Sequence, residues 1–366
     1  MNSPISHSQM AESKTRCTET LLLSFRGVTF RVLADSADVL ALVASYYAGL
    51  ADAYSSGPCL DIYLSNQSLD TNAVEWAPVK RAKSSPLGLK EAYIDTETGR
   101  WIHKVRTGMV MFQSLTEPMV FGDLKGNLPQ VVNFINNQFL NHYQRRGYLL
   151  GHAAAFSVDG KVIAIAASSG GGKSTLMLRA LEVEGTRFLS NDRILFRPKM
   201  LGDAARVHVL GLAKHPRVNP GTLINSDRLS SIMPAEERAE FEKLSREDLW
   251  DIEQKYDVLI PNVYGDGKSD LDGVLEHLIL LDWSLASSEP TALTPIDVDQ
   301  NPQALDGLRK SPGPFYQDSE GQFPPESTES AEVYRQNLQG VKVWRLSGAV
   351  DFDQAIEQLR EHGQVL

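Results

Sequence analysis

In the first third of the chain apolar and polar residues mostly alternate, with the two-residue period of half-buried strands. Leu21–Leu33 predicts a β-hairpin: LLLSF, a turn at Arg26-Gly27, then VTFRVL. The period then changes. Over Ser36–Leu50, Val39, Leu42, Val43, Tyr46 and Leu50 share one helical face behind a Ser36 cap. Cys59–Leu64 reads as a short strand. Residues 65–90 read as irregular, with prolines at 78 and 86, and Glu91–Gln113 alternates in short strands around Thr98-Gly99. A second amphipathic helix starts at Asn127, with Pro129 in its first turn. Its stripe is Val131, Val132, Ile135, Phe139 and Tyr143, and Arg145-Arg146-Gly147 closes it. Pro118 and the turn cluster Gly122–Gly126 place the expected domain boundary near 115–126, just before this helix.

Beyond it, Gly147–Phe156 and Lys161–Ala167 predict strands joined at Asp159-Gly160. VIAIAA is the run of small and β-branched residues that a buried strand carries. A glycine-rich turn leads into a helix from Lys173 to about Glu184, stopped by Gly185. Phe188–Leu189 and Ile194–Phe196 flank a polar interruption at Ser190–Arg193. Residues 226–256 are densely charged, with helix starts at Met233-Pro234 and at Ser245-x-x-Asp248. They read as a solvated helical hairpin, or in the sharper alternative as a lid. Val274–Asp282 is a strand, and residues 285–330 form an irregular excursion rich in Pro, Ser and Asp. Glu332–Leu338 is a short helix, Val341–Leu346 a strand and Val350–Glu361 the closing helix. The expected architecture is α/β with a mixed (α+β) sheet. A flexible leader spans 1–19, a small α+β domain 20–120 and a larger domain 121–366, carrying the insert 226–256 and the excursion 285–330.

Composition contributes exclusions. With 42% hydrophobic and 22% charged residues in 366, the chain is neither collagenous, wholly disordered nor membrane-embedded. Its 36 basic and 46 acidic residues leave a net charge of -10, so no general nucleic-acid or anionic-membrane partner is expected. Two cysteines, Cys17 and Cys59, build no disulfide framework. With a polar first stretch and no apolar run of about 18 residues, the expected compartment is the cytoplasm.

The chemistry concentrates in Ala167-Ser-Ser-Gly-Gly-Gly-Lys-Ser-Thr175, between a buried strand and a helix. That is the context of a P-loop. Glycines let the backbone wrap a triphosphate closely, and the N–H groups of the helix start bind the anion. Ser169, Gly170, Gly171, Gly172, Lys173, Ser174 and Thr175 are therefore the candidate ATP-binding residues. Lys173 reaches the β- and γ-phosphates and Ser174 offers its hydroxyl to Mg²⁺. One position departs from the pattern: Ala167 stands where the first glycine belongs. Two carboxylates compete to hold the metal. Asp192 follows Lys173 by one helix and one turn, close to the phosphates if sequential strands are neighbours. Asp282 ends the apolar run Leu278–Leu281, as a Walker B residue would. The spacing favours Asp192.

The stretch from His152 through Asp192 resembles the catalytic half of HPr kinase/phosphorylase and its relatives. Those proteins carry a histidine at the strand before the loop, then S-G-x-G-K-S, a helix, and a strand ending in paired aspartates. Here these correspond to His152, Ser169–Ser174 and Asn191-Asp192. Gly211-Leu-Ala-Lys-His-Pro-Arg-Val-Asn-Pro-Gly-Thr222 and Val343-Trp-Arg-Leu-Ser-Gly-x-Val-Asp-Phe352 are similar to the HPr-kinase-related "kinase B" group. The resemblance covers roughly 147–352. It implies a fold related to the C-terminal region of phosphoenolpyruvate carboxykinase, and ATP- and Mg²⁺-dependent phosphorylation of a hydroxyl on a protein serine or a small molecule. It also implies a homo-oligomer. Asp192 and Asn191 stand at the catalytic pair. His152 reads either as orienting the γ-phosphate or the acceptor, or as a histidine satisfied by backbone at a strand start, and Lys214 and Arg217 either as neutralising the transferring group or an anionic substrate, or as part of a solvated loop. Two departures stand out: Thr175 follows the loop serine where the family has Glu, and Asn191 replaces the aspartate to which the family assigns the base role. An amide accepts no proton at neutral pH. Three readings follow: a kinase, a P-loop ATPase or switch built on Asp282, and an ATP-binding regulator without turnover.

Overall fold

The computed structural model describes residues 3–53, 56–80, 88–245, 248–249, 252, 254–361 and 365–366. The chain forms two compact units, Met1–Arg146 with Ser311–Ser327, and Gly147–Lys310 with Thr328–Leu366. Both are mixed α/β, on sheets that combine parallel and antiparallel pairs. Among the described residues no helix is long and apolar enough to cross a membrane.

The first unit holds an eight-stranded sheet. Its opening hairpin, β1 (Glu19–Phe25) and β2 (Val28–Ala34), turns at Arg26-Gly27, where Gly27 takes a φ of 92°. The helix Ala37–Tyr47 buries Val39, Leu40, Val43 and Tyr47. Leu42, expected on that face, is 39% exposed, and Tyr47 instead meets the Phe25 ring at 5.1 Å. Of the expected leader 1–19, the described residues 3–19 are not loose. Ser6 and Gln9 form a reciprocal capping box for the helix His7–Arg16, and Ile5 and Met10 enter a cluster with Trp101, Phe112 and Phe121. Two apolar anchors and one cap are enough to order a segment whose average composition is polar.

The helix Leu128–Gln144, expected to open the second domain, packs inside the first unit. Phe139 meets Phe25 edge-on at 6.3 Å, Gln138 donates to Gln113 at 2.8 Å, and Asn141 donates to the Phe315 carbonyl at 2.7 Å. The division therefore falls after Arg146, not near 120, and part of the expected excursion, Ser311–Ser327, belongs to this unit. Residues 81–87, with Pro86, lie outside the described residues.

The second unit is a nine-stranded sheet. We label β3 (Leu149–Gly151), β4 (Ala153–Val158), β5 (Lys161–Ala166), β6 (Thr186–Ser190), β7 (Ile194–Leu201), β8 (Ala204–Gly211), β9 (Asp272–Ser284), β10 (Ala292–Pro295) and β11 (Lys342–Ala349). The order is β6-β4-β5-β9-β8-β7-β3, with β11 beside β9 and β10 beside β11. β5, β9 and β11 run parallel. Two register pairs matter for function. Ala153 lies opposite Ala166, and Ala155 opposite Ser190. The C-terminal ends of β5 and β6 thus flank the N-terminal end of β4. In the charged segment, the helix Ala235–Phe241 buries no side chain. Asp248 donates its backbone N–H to Ser245 Oγ at 3.1 Å, while residues 246–247, 250–251 and 253 lie outside the described set.

Candidate functional site

The glycine loop leaves β5 at Ala167 and enters the helix Lys173–Ala180. Gly170 and Gly172 hold φ of 82° and 90°, dihedrals that L side chains resist. At Gly171 a Cβ would stand 2.8 Å from that of Ala167, so the loop is wound too tightly for anything but glycine. Ala167 itself has no positive φ, which is why alanine serves at the position where the common pattern asks for glycine. Gly172 is the N-cap and offers no side chain to the first turn, so the N–H groups there are left for an incoming anion.

Lys173 is 8% exposed and donates to the carbonyls of Ala167 and Ser168, each at 3.0 Å. Burial pushes its ammonium down to about 8, against the pull of Asp192. Trp283 braces the loop by donating from Nε1 to the Gly171 carbonyl at 3.0 Å, and its ring meets Phe352 edge-on at 5.0 Å. Ser169 stands exposed at the crest. Thr175 turns aside, its hydroxyl sharing a 2.9 Å hydrogen bond with Thr222.

The other wall is the turn after β6. Ser174 Oγ donates to Asn191 Oδ1 at 2.7 Å, which ties the helix start to this turn. Asp192 adopts a φ of 72°, a left-handed position that Asp tolerates better than most residues. Its carboxylate stands 3.4 Å from His152 Nε2 and 3.5 Å from Arg193 Nε. Burial works to raise its pKa. The His152 hydrogen bond and the charges of Lys310 and Arg193 outweigh that and hold it well below the usual carboxylate range. β5 and β6 are not neighbours, as the sequence spacing assumed: β4 lies between them, and His152 at its start fills the gap.

Lys214 follows β8. The Leu212 N–H donates to Ser190 Oγ at 3.0 Å, which docks this segment on the 190–193 turn. A Cβ on Gly211 would meet the Leu189 carbonyl at 1.9 Å, so only glycine permits that approach. Burial and the nearby Arg193 push the Lys214 ammonium down to about 8. Arg217 sits one step out and lies 3.1 Å from the Asp257 carboxylate. His215 accepts from the Ile260 N–H at 3.3 Å, a structural bond. Asp282 is 69% exposed and faces Arg345 at 3.6 Å. Its strand neighbour Trp283 points to the loop, so alternation turns Asp282 to the opposite face.

Two cations near the site, Lys310 and Lys255, carried no signal in the sequence, since both lie in stretches without periodic pattern. Lys310 follows a bridge between Gly151 and Arg309, and its N–H donates to the buried Tyr334 hydroxyl at 3.1 Å. Trp283 was legible in principle, because period-two alternation sets it opposite Asp282.

The residues fit a magnesium-bound triphosphate. A Cβ at Gly171 would collide with Ala167, so the loop keeps its close winding, and Ser174, Asn191 and Asp192 present the hard oxygens Mg²⁺ prefers. No protein-family model matches the chain, and no curated protein matches it. Among solved structures it is similar to the HPr(Ser) kinase/phosphatase from Coxiella burnetii, at 12% identity and a TM-score of 0.28, over 58% of this chain and 90% of that one. A likeness of that size carries no argument, so the functional reading rests on the site's own geometry.

Proposed function

We propose that the second unit is an ATP- and Mg²⁺-dependent kinase that transfers the γ-phosphoryl group to a hydroxyl. We read its core as the HPr kinase type, related to the C-terminal region of phosphoenolpyruvate carboxykinase. The observation that carries the functional reading is the 2.7 Å bond from Ser174 to Asn191, which joins a glycine cradle to a carboxylate turn. Bound there, Mg²⁺ would neutralise charge on the β- and γ-phosphates, held by Ser174 and Asp192. The protein's part is positioning. Lys173 meets the phosphates, His152 holds the Asp192 carboxylate, and Lys214 offsets charge on the transferring group. The acceptor oxygen bonds to the γ-phosphorus as the β–γ bridging bond breaks, ADP leaves, and the hydroxyl proton departs to solvent.

Asp192 stays ionised across the working pH range, so it suits the metal better than the proton. Asn191 accepts no proton either. Phosphoryl transfer through a loose transition state asks little of a base, and this site is arranged accordingly. The exposure and the Arg345 neighbour of Asp282 count against the ATPase reading. The test is transfer of labelled γ-phosphate by the intact chain and by Lys173→Ala. The variant should keep its thermal melt and lose ATP binding and transfer. Unchanged affinity and turnover would refute the phosphate-loop assignment.

A further inference from the structure

We propose that the first unit carries a second binding site, a cleft for a small carboxylate with an amide beside its carboxyl group, as in an acylated amino acid or the end of a peptide chain. Nothing in it depends on the phosphoryl-transfer reading. The cleft is a fork in the eight-stranded sheet. The strand Cys59–Ser65 lies between β2 and the short strand Met119–Phe121. Toward β2 it is paired from Cys59 to Leu64. There the Thr29 N–H donates to the Pro58 carbonyl at 2.8 Å and the Asp35 N–H to the Leu64 carbonyl at 3.2 Å. Alternate residues of a parallel strand serve opposite neighbours, so Leu60 and Ile62 bond toward β2, while Cys59, Asp61 and Tyr63 present their N–H and C=O groups to the other side. On that side pairing starts only at Tyr63, which lies opposite Met119 and donates to the Pro118 carbonyl at 3.0 Å. One step back, the Asp61 carbonyl would need the N–H of residue 118, and proline has none. The chain bends away at Leu115 and Thr116, and a cavity of about 300 Å³ opens between the two segments.

The groups around this cavity select a ligand. The unpaired main-chain edge at Cys59 and Asp61 can take an amide as it would take an added strand. Leu60, Ile62, Leu115 and Pro118 supply apolar lining. Arg145, at the end of the helix Leu128–Gln144, supplies the charge. Among the described residues its guanidinium makes one hydrogen bond, from Nη1 to the Gln317 carbonyl at 3.2 Å, and no ion pair. A guanidinium has five N–H donors, and its planar fork matches a carboxylate. Burial and the neighbouring Arg146 disfavour the charge of Arg145, which an anion in the cavity would offset. Asp318 also acts on it, but that carboxylate is held in its own turn by the N–H groups of Glu320 at 3.0 Å and Gln322 at 2.7 Å. The other ions lining the cavity, Arg31 and Asp61, already join in a bidentate pair at 2.8 and 2.6 Å. One cation without an ion pair suits a single planar negative charge better than a phosphate.

The full chain is titrated by calorimetry with N-acetyl-L-leucine, its amide N-acetyl-L-leucinamide, and isocaproate. N-acetyl-L-leucine should bind saturably. The leucinamide lacks the carboxylate and isocaproate lacks the amide, and each should bind about tenfold more weakly or worse. Arg145→Gln should abolish the preference for the acid over its amide. Leu115→Asp sets a like charge in the lining at a position 39% exposed, and should weaken the acid about tenfold with an unchanged thermal melt, so a folding defect in the arginine variant does not blunt the test. An octapeptide ending in leucine that binds more tightly than N-acetyl-L-leucine would assign the site to chain ends, and weaker binding would assign it to free small molecules. No saturable binding of the acid, equal binding of acid and amide, or an affinity that neither variant changes would overturn the inference.

Discussion

Gly172→Ala should separate the backbone demand of the glycine loop from its packing demand, with Gly185→Ala as the matched control. Both glycines have left-handed φ, 90° and 81°. Both lie in the second unit, at opposite ends of the segment that contains the helix Lys173–Ala180. At Gly185 a Cβ meets nothing within 4 Å. The change there costs about 1–2 kcal/mol for an alanine in the left-handed region, less the gain from a stiffer unfolded chain. At Gly172 the same terms apply, and the Cβ also stands 3.2 Å from Trp283 and 3.3 Å from Phe352. Both rings must give by a few tenths of an ångström. Trp283 cannot do so without straining its 3.0 Å bond to the Gly171 carbonyl. Losing a hydrogen bond of this kind costs about 1 kcal/mol. Because the backbone terms cancel, Gly172→Ala should be less stable than Gly185→Ala by about 1–2 kcal/mol. Urea denaturation read by Trp fluorescence measures the difference, provided the two variants share an m-value. A titration with magnesium and an ATP analogue supplies the second reading. Gly172→Ala should lose most of its nucleotide affinity and Gly185→Ala should keep it. Equal destabilisation of the two variants, or full affinity in Gly172→Ala, would refute the claim that this loop is held by Trp283 in its binding shape.

Asp192→Asn should abolish Mg²⁺-dependent transfer, whereas Asp282→Asn should leave most of it; the reverse pattern in the same labelled-phosphate assay would favour the ATPase reading. Asn191→Asp sets a third carboxylate-type oxygen at the position where Asn191 accepts from Ser174, and should lower the Mg²⁺ concentration needed for half-maximal turnover. A rate gain approaching the about 10²–10⁴-fold typical of general-base help, with a new pH dependence, would instead place residue 191 against the acceptor hydroxyl. The depressed ammonium groups of Lys173 and Lys214 give nucleotide affinity and apo stability opposite pH trends. Affinity should fall above about pH 8 as they lose charge. Stability should rise from about 8 toward 10.5, because in that window the unfolded chain binds protons that the native chain has lost. Calorimetry and thermal melts across the same buffers check this, and a joint fall of both quantities would contradict it.

What the sequence made legible, and what it hid, follows from how far each inference had to reach. The loop was readable because one local string specifies glycine dihedrals, a lysine and a helix start together, and even the Ala167 exception needs only an ordinary φ. The hairpin at Arg26-Gly27 and the helix from Leu128 were readable for the same reason. Assigning that helix to a unit was not, because turn residues at 122–126 mark a bend and say nothing of what packs afterwards. Its partners Phe25, Gln113 and Phe315 come from three distant stretches. The Asp192 argument reached the glycine loop through an incomplete step. Counting residues past Lys173 assumes that consecutive strands lie side by side, yet β4 separates β5 from β6. Asp192 nonetheless approaches the loop because β4 runs antiparallel to both neighbours, so its first residues meet their last. His152 stands at that crossing, immediately before the intervening strand. Lys310 lies beyond any such argument. Its place depends on a bridge between Gly151 and Arg309 and on the Tyr334 hydroxyl, and no local periodicity encodes either. The residues of the glycine loop follow a short local grammar, whereas Lys310 reaches its place by tertiary folding alone.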